Sequence, residues 1–179
     1  MPVHHGDFFE GINKLEQTLR DLPTQIGAEA LRFFQQGFKL QGWQGDGGLE
    51  PWDKRKYNID PGRKILYGPE THQHLRDSLK KSVSGNDIRV EVTGSAAKYA
   101  DAHNFGATIK IPVTAKMRKW AWAMFYKTKK DMYKGMALTK KSDITIKITK
   151  RQFIGNSKQR ETISHQVFEY NINKAIPLA

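Results

Sequence analysis

The sequence predicts a single α+β domain over residues 1–179, built from an N-terminal helical hairpin, a small antiparallel β-sheet and a C-terminal helix. Three observations carry this expectation. Apolar residues recur at helical spacing along the first forty positions. From about residue 88 the apolar period drops to two, the signature of strands with one buried face. Helical spacing returns after Ser157.

Each element follows from its own residues. Asp7 is an N-cap candidate, because its carboxylate accepts the orphan N–H groups of a first turn. Phe8, Ile12, Leu15, Leu19 and Leu22 then form one stripe over residues 7–22. Pro23 breaks this helix and suits the first position of the next. Ile26, Ala30, Phe33, Phe34 and Phe38 line that second helix up to Lys39. Residues 40–64, with Trp43, Trp52, five glycines and two prolines at Pro51 and Pro61, read as a long loop. A phosphate-cradling glycine loop would need Gly-Lys-Ser/Thr at its end, whereas Gly48 is followed by Leu49 and Glu50.

Glu70 to Lys81 reads as a short helix with Leu75 and Leu79 facing inward. Three alternating runs follow: Ile88, Val90, Val92; Ile109, Ile111, Val113; and Ile144, Ile146, Ile148. They predict one antiparallel sheet with helices on its apolar face. Pro112 has no N–H and marks an edge or a strand end. Thr114–Lys134 reads as one helix. Met117, Trp120, Ala121, Met124 and Met132 share its inner face. Trp122, Tyr126 and Tyr133 lie opposite, beside Lys119, Lys129 and Lys130. The last helix, Ser157–Lys174, takes Ser157 as N-cap and turns Ile163, Val167 and Tyr170 inward.

Composition narrows the chemistry. The chain has no cysteine, which excludes thiol catalysis, disulfides and cysteine-ligated metal centres. No apolar run approaches the roughly 20 residues that span a bilayer, and the first residues lack the pattern of a signal peptide. A soluble protein made in the cytosol, without membrane contact, is expected. The net charge is +12, and it is concentrated. Residues 110–160 hold fifteen lysines and arginines against two aspartates, and the remainder of the chain is nearly neutral. Such a segment suits a polyanion or an acidic protein surface.

Candidate catalytic patterns are weak. His72 and His74 are two apart and diverge on a helix. No His-Glu-x-x-His run exists, and no serine lies in a Gly-x-Ser-x-Gly elbow. The eighteen acids are scattered. No enzyme and no cofactor are expected. The one constellation left is basic and aromatic: Arg118, Lys119, Trp122, Tyr126, Lys129 and Lys130. Lysines neutralise phosphates and exposed rings stack on bases. The same face can also lie at a membrane surface, meet a neighbouring subunit or pack as ordinary core with a solvated rim.

Several segments are similar to a known family. Arg32-Phe33-Phe34-Gln35-Gln36-Gly37-Phe38 is followed by Gly42-Trp43 and by Pro51-Trp52-Asp53-Lys54-Arg55. Lys64-Ile65-Leu66-Tyr67-Gly68 and Leu75-Arg76-Asp77-Ser78-Leu79 come next. Tyr99-Ala100-Asp101-Ala102-His103-Asn104-Phe105-Gly106 and Lys150-Arg151-Gln152-Phe153-Ile154-Gly155 complete the series. In this order they resemble the phage virion morphogenesis family, the tail-completion or neck proteins of Mu-like phages and prophages. Residues 112–148 look like an insertion relative to short members, and Thr149-Lys150-Arg151-Gln152 replaces the family's Pro-Ala-Arg-Pro.

The resemblance implies a structural protein of the head–tail junction. It implies a ring-like homo-oligomer, portal or connector and tail-terminator proteins as partners, and possible contact with packaged DNA. It places the chain in the virion neck, after assembly in the host cytoplasm. Within the matching segments, Tyr99, His103, Phe105 and Gly106 read as a structural turn. Gly106 is expected at positive φ, and His103 as a donor to a backbone carbonyl. Arg151 and Phe153 read as partner-facing anchors, a guanidinium fork beside an inserted ring.

Overall fold

Helix α1 runs unbroken from His5 to Leu40, where a helical hairpin was expected. Pro23 sits inside it. An interior proline removes one backbone hydrogen bond and crowds the preceding turn, at a cost of roughly 3 kcal/mol. Two features offset that cost. The apolar stripe continues across the proline, with Leu22 buried on one side and Ala30, Phe33, Phe34 and Phe38 on the other. Leu19, whose carbonyl loses its partner, lies on an exposed turn where water reaches it.

The computed structural model describes residues 5–55, 62–68 and 75–176, with side chains from residue 9 onward. The fold class is the expected α+β mixture, but its sheets differ. The strands form three separate two-stranded antiparallel ribbons instead of one sheet. β1 (Gly42–Gly45) and β2 (Gly48–Pro51) pair from Gly42↔Pro51 to Gly45↔Gly48. Part of the expected long loop is therefore a hairpin, closed by the two-residue turn Asp46-Gly47, a pair that favours tight hairpins. Residues 56–61 lie outside the described residues.

β3 (Leu79–Ser84) and β4 (Asp87–Val92) form a second hairpin, with Gly85 at φ 59° in its turn. The expected helix Glu70–Lys81 is not formed where it is described. Residues 75–78 are a turn and Leu79 opens a strand, while residues 70–74 lie outside the described set. The Gly85-Asn86 turn and the alternation of β4 pull Lys80–Ser84 into register, and Leu75 and Leu79 are nonetheless buried. α1 packs on this hairpin. Gly27 allows the close approach, since a Cβ there would lie 3.1 Å from Ile88. Lys81 donates to the Thr24 carbonyl at 2.9 Å, tying the ribbon to α1 just past the proline.

A short 3₁₀ turn, Gly94–Ala96, leads into α2 (Ala97–Phe105), an element that periodicity did not announce. The last helix, α5 (Lys158–Ala175), packs along α1. Its N-cap is Ser157 as expected, accepting from Arg160 N at 3.2 Å. Asp46 adds a carboxylate at the same end, accepting from Lys158 N at 2.8 Å, where the helix dipole favours negative charge.

The chain divides into two compact units, Met1–Phe105 with Arg151–Ala179, and Gly106–Lys150. The second is drawn slightly wider than the 112–148 segment singled out in the sequence. It contains β5 (Ala107–Pro112), α3 (Ala115–Thr128), α4 (Asp131–Leu138) and β6 (Asp143–Ile148). β5 pairs with β6 from Ala107↔Ile148 to Pro112↔Asp143. The single helix expected over 114–134 is two. Lys129 adopts the left-handed conformation at φ 56°, and its N–H closes α3 on the Phe125 carbonyl.

Replacing Pro23 by Ala restores the missing hydrogen bond inside a continuous helix. The expected outcome is a gain of about 1–3 kcal/mol in urea-denaturation stability. A helix that started at Pro23 would gain nothing or lose stability, so a neutral or negative change would contradict the unbroken α1.

Candidate functional site

Most of the segments singled out in the sequence converge in the first unit. Phe38 is fully buried and meets both Trp52 and Phe153 with ring centroids 5.4 Å apart. Trp43 stacks on Phe34 at 6.3 Å and meets Phe33 edge-on at 6.2 Å. Leu75, Leu79, Ala96 and Ala100 belong to the same core. Aromatic pairs of this geometry are worth about 0.5–1.5 kcal/mol each beyond the area they bury.

Polar groups stitch this core across long sequence distances. Trp52 Nε1 donates to the Gln152 carbonyl at 2.8 Å. Arg151 N donates to the His103 carbonyl at 2.7 Å. The Arg151 guanidinium donates through Nε and Nη2 to the Asp53 carbonyl, at 3.1 and 3.0 Å. The fork therefore grips its own backbone instead of a partner's carboxylate. Phe153, 1% exposed, is core and not an anchor for a partner. Asn104 is the residue that sequence reading missed. It is buried at the end of α2, and its Oδ1 accepts from Phe153 N at 3.0 Å and Ile154 N at 3.2 Å. Its only signal was its place between His103 and Phe105 in the Tyr99–Gly106 segment.

The rest of that segment behaves in part as expected. Gly106 has φ 78°, and a Cβ there would crowd Lys150 N and the Ile148 carbonyl at 3.2 and 3.3 Å. Tyr99 meets His103 edge-on at 5.8 Å. Phe105, however, is 69% exposed. His103 does not pin the turn through Nδ1, which is buried and has no hydrogen-bond partner among the described residues. Its main-chain carbonyl does so instead, through Arg151. Burial, and secondarily the charge of Arg151, lower the His103 pKa below its ordinary value. The neutral ring results at pH 7. Together with Arg55, Arg63, Tyr67 and Tyr99, these two residues line a cleft of about 340 Å³.

The basic-aromatic constellation belongs to the second unit. Its 45 residues hold twelve lysines and arginines against Asp131 and Asp143, a net +10. Trp122 and Tyr126, four apart on α3, stack at 5.9 Å with ring planes 25° apart. Lys129 Nζ lies 5.7 Å from the Tyr126 ring centre and Lys134 Nζ 5.8 Å from that of Phe125. Tyr126 is 64% exposed, and Lys119, Lys129 and Lys130 are exposed beside it. Arg118 has a structural task, donating from Nη1 to the Ala137 carbonyl at 3.1 Å and so capping the end of α4.

The expected inner face holds at Ala121, which is fully buried. It fails at Trp120 and Met132, which are exposed. The break at Lys129 puts Met132 on a second helix in a different phase, and Trp120 meets Tyr133 edge-on across the pair at 5.7 Å.

Among the described residues no group of three or more His, Asp or Glu side chains could hold a metal ion. No described helix is long and apolar enough to cross a membrane. Comparison with protein-family models, with curated proteins and with solved structures finds no match to this chain.

Two outcomes test this arrangement. Asn104→Ala leaves two inward main-chain N–H groups without an acceptor. It is expected to lower unfolding stability by about 2–5 kcal/mol in urea titrations; a change below 1 kcal/mol would contradict the role assigned to it. His103 takes up a proton more readily in the unfolded chain than in the folded one. Stability should therefore fall as pH drops below about 6.5, through the window down to the lowered folded value. Between pH 7.5 and 5, His103→Gln should show a shallower loss than the parent chain; parallel curves would refute the linkage.

Proposed function

We propose that the chain is a structural component of the phage head–tail junction, a tail-completion or neck protein that joins a finished tail to a packaged capsid. One observation supports this reading above the others. The segments that resemble the virion morphogenesis family, scattered between residues 32 and 155, supply the aromatic core and its polar stitching. Phe33, Phe34 and Phe38 come from the first segment. Trp43, Trp52 and Asp53 come from the next two, His103 and Asn104 from the Tyr99–Gly106 segment, and Arg151 and Phe153 from the last. Residues matched for a shared fold are expected to meet in this way, as core and stitching.

In this reading the chain assembles in the host cytoplasm into a cyclic homo-oligomer. Closure around an axis matches the axis of a tail. Its neighbours are a portal or connector ring and a tail-terminator ring, and it resides in the virion neck. It takes no cofactor and no membrane. The +10 unit faces exiting DNA or an acidic neighbouring ring.

A second reading is favoured by the exposed Tyr126 among lysines: a nucleic-acid-binding module that uses the second unit. The two make different predictions. Quantitative mass spectrometry of purified, DNA-filled particles should find a constant small copy number per particle; absence from well-formed particles would overturn the permanent neck assignment. For the module, DNA affinity should fall steeply with salt, with a slope that shrinks by about 0.9 for each phosphate-contacting lysine removed. Lys129→Ala and Lys130→Ala should each flatten it, and Tyr126→Ala should weaken single-strand binding by about 1–3 kcal/mol. Unchanged binding in all three variants would sink the module.

A further inference from the structure

Two apolar faces of this chain are exposed, and they belong to segments of opposite net charge. The first is the N-terminal half of α1. The stripe that is buried from Leu22 onward continues toward the N-terminus with Leu15 half-buried and with Leu19 46% and Ile12 38% exposed. Residues 5–21 hold four acids and two basic side chains, a net −2. The second is one face of the β5–β6 ribbon. The register Ile109↔Ile146 and Ile111↔Ile144, with Ile148 opposite Ala107, gathers five isoleucines on that face. Ile109, Ile111 and Ile146 are 41%, 39% and 43% exposed. The reverse face shows Thr108, Lys110, Thr145 and Lys147. A two-stranded ribbon is marginally stable until its apolar face is covered.

We propose that the N-terminal half of α1 from one copy of this chain docks on the isoleucine face of the β5–β6 ribbon of the next copy. A helix laid on a sheet face is a standard layer arrangement. The lengths fit: Ile12 to Leu19 spans about 10 Å of helix, within the about 17 Å of a six-residue strand. Charge selects this pairing over the symmetric ones. Ribbon against ribbon brings two units of net +10 together and α1 against α1 two segments of net −2, whereas α1 against the ribbon pairs segments of opposite net charge. Each copy then offers one face and uses the other, a head-to-tail contact that closes into a ring when its rotation allows. The contact supplies an interface for the ring proposed above and rests on that reading for its closure.

The chain has no native cysteine, so disulfide trapping in this chain is unambiguous. Chains carrying Leu19→Cys alone and Ile109→Cys alone should each stay uncrosslinked on oxidation. An equimolar mixture should give a covalent dimer. A chain carrying both substitutions should give a ladder of oligomers. No crosslink in the mixture, or self-dimers of the Leu19→Cys chain at equal yield, overturns the contact.

Sedimentation supplies the second arm. Ile12→Asp/Leu19→Asp and Ile109→Asp/Ile146→Asp should each weaken self-association by about thirtyfold or more, with unchanged circular dichroism. Mixed together, they should recover a two-chain complex, because each retains one good face. A wild-type oligomer that ignores both pairs overturns this contact and leaves the ring standing. A wild-type chain that sediments as a monomer throughout overturns the contact, and particle composition then decides the neck reading separately.

Discussion

The first unit depends on how the chain returns at residues 151–154. Forty-five residues separate Phe105 from Arg151, yet the two ends of that excursion are fastened within a few residues of each other. Arg151 N bonds the His103 carbonyl, and Asn104 receives the N–H groups of Phe153 and Ile154. Only this return delivers Phe153 to Phe38 and brings the Gln152 carbonyl to Trp52. Without it the aromatic core loses a ring from its centre, and Trp52 loses the acceptor for its indole N–H. The hydrophobic packing and the polar stitching are therefore one device: the hydrogen bonds fix where the ring enters, and the burial of the ring makes their surroundings dry.

The same arrangement explains how a whole unit can be inserted between Phe105 and Arg151. The entropy of closing a flexible loop grows only logarithmically with its length, by about 0.6 kcal/mol per doubling. Once the base is fastened, additional residues between Gly106 and Lys150 cost the first unit little. Gly106, in a conformation that side chains disfavour, marks one edge of this attachment. The second unit can then evolve charge and exposed aromatics without disturbing the core. In the proposed joint, one part holds shape while the other meets a neighbour.

Legibility in the sequence followed physical range. Local signals read well: the apolar stripe of α1, the alternation in β4, β5 and β6, the Ser157 cap and the turn at Gly106. Pairing did not read well, because a period of two reports a buried face and not the strand beside it. Lys80–Ser84, with little β character of its own, became the partner of β4 because the Gly85-Asn86 turn folds it back. Pro23 misled because its local cost was weighed without the packing on either side of it. Asp46-Gly47 was a legible hairpin signal hidden among other glycines. At the candidate site, Arg151 and Phe153 read in the sequence as outward, partner-facing groups. Only the fold shows that the Asp53 carbonyl and Phe38 already hold them. Asn104 could not be seen at all, since its task exists only when residues fifty positions away arrive.

The antiparallel register of β5 and β6 has a mechanical consequence. β5 begins at Ala107 and β6 ends at Ile148, side by side and close in sequence to Phe105 and Arg151, and every pair from Ala107↔Ile148 to Pro112↔Asp143 lies in sequence along the ribbon. A pull that separates the far ends of β5 and β6 loads these pairs one after another, starting at Pro112↔Asp143, as a zipper opens. Tension spends itself on the ribbon before it reaches Arg151 and Asn104. The ribbon thus acts as a mechanical fuse that yields in small steps and spares the aromatic core at its root.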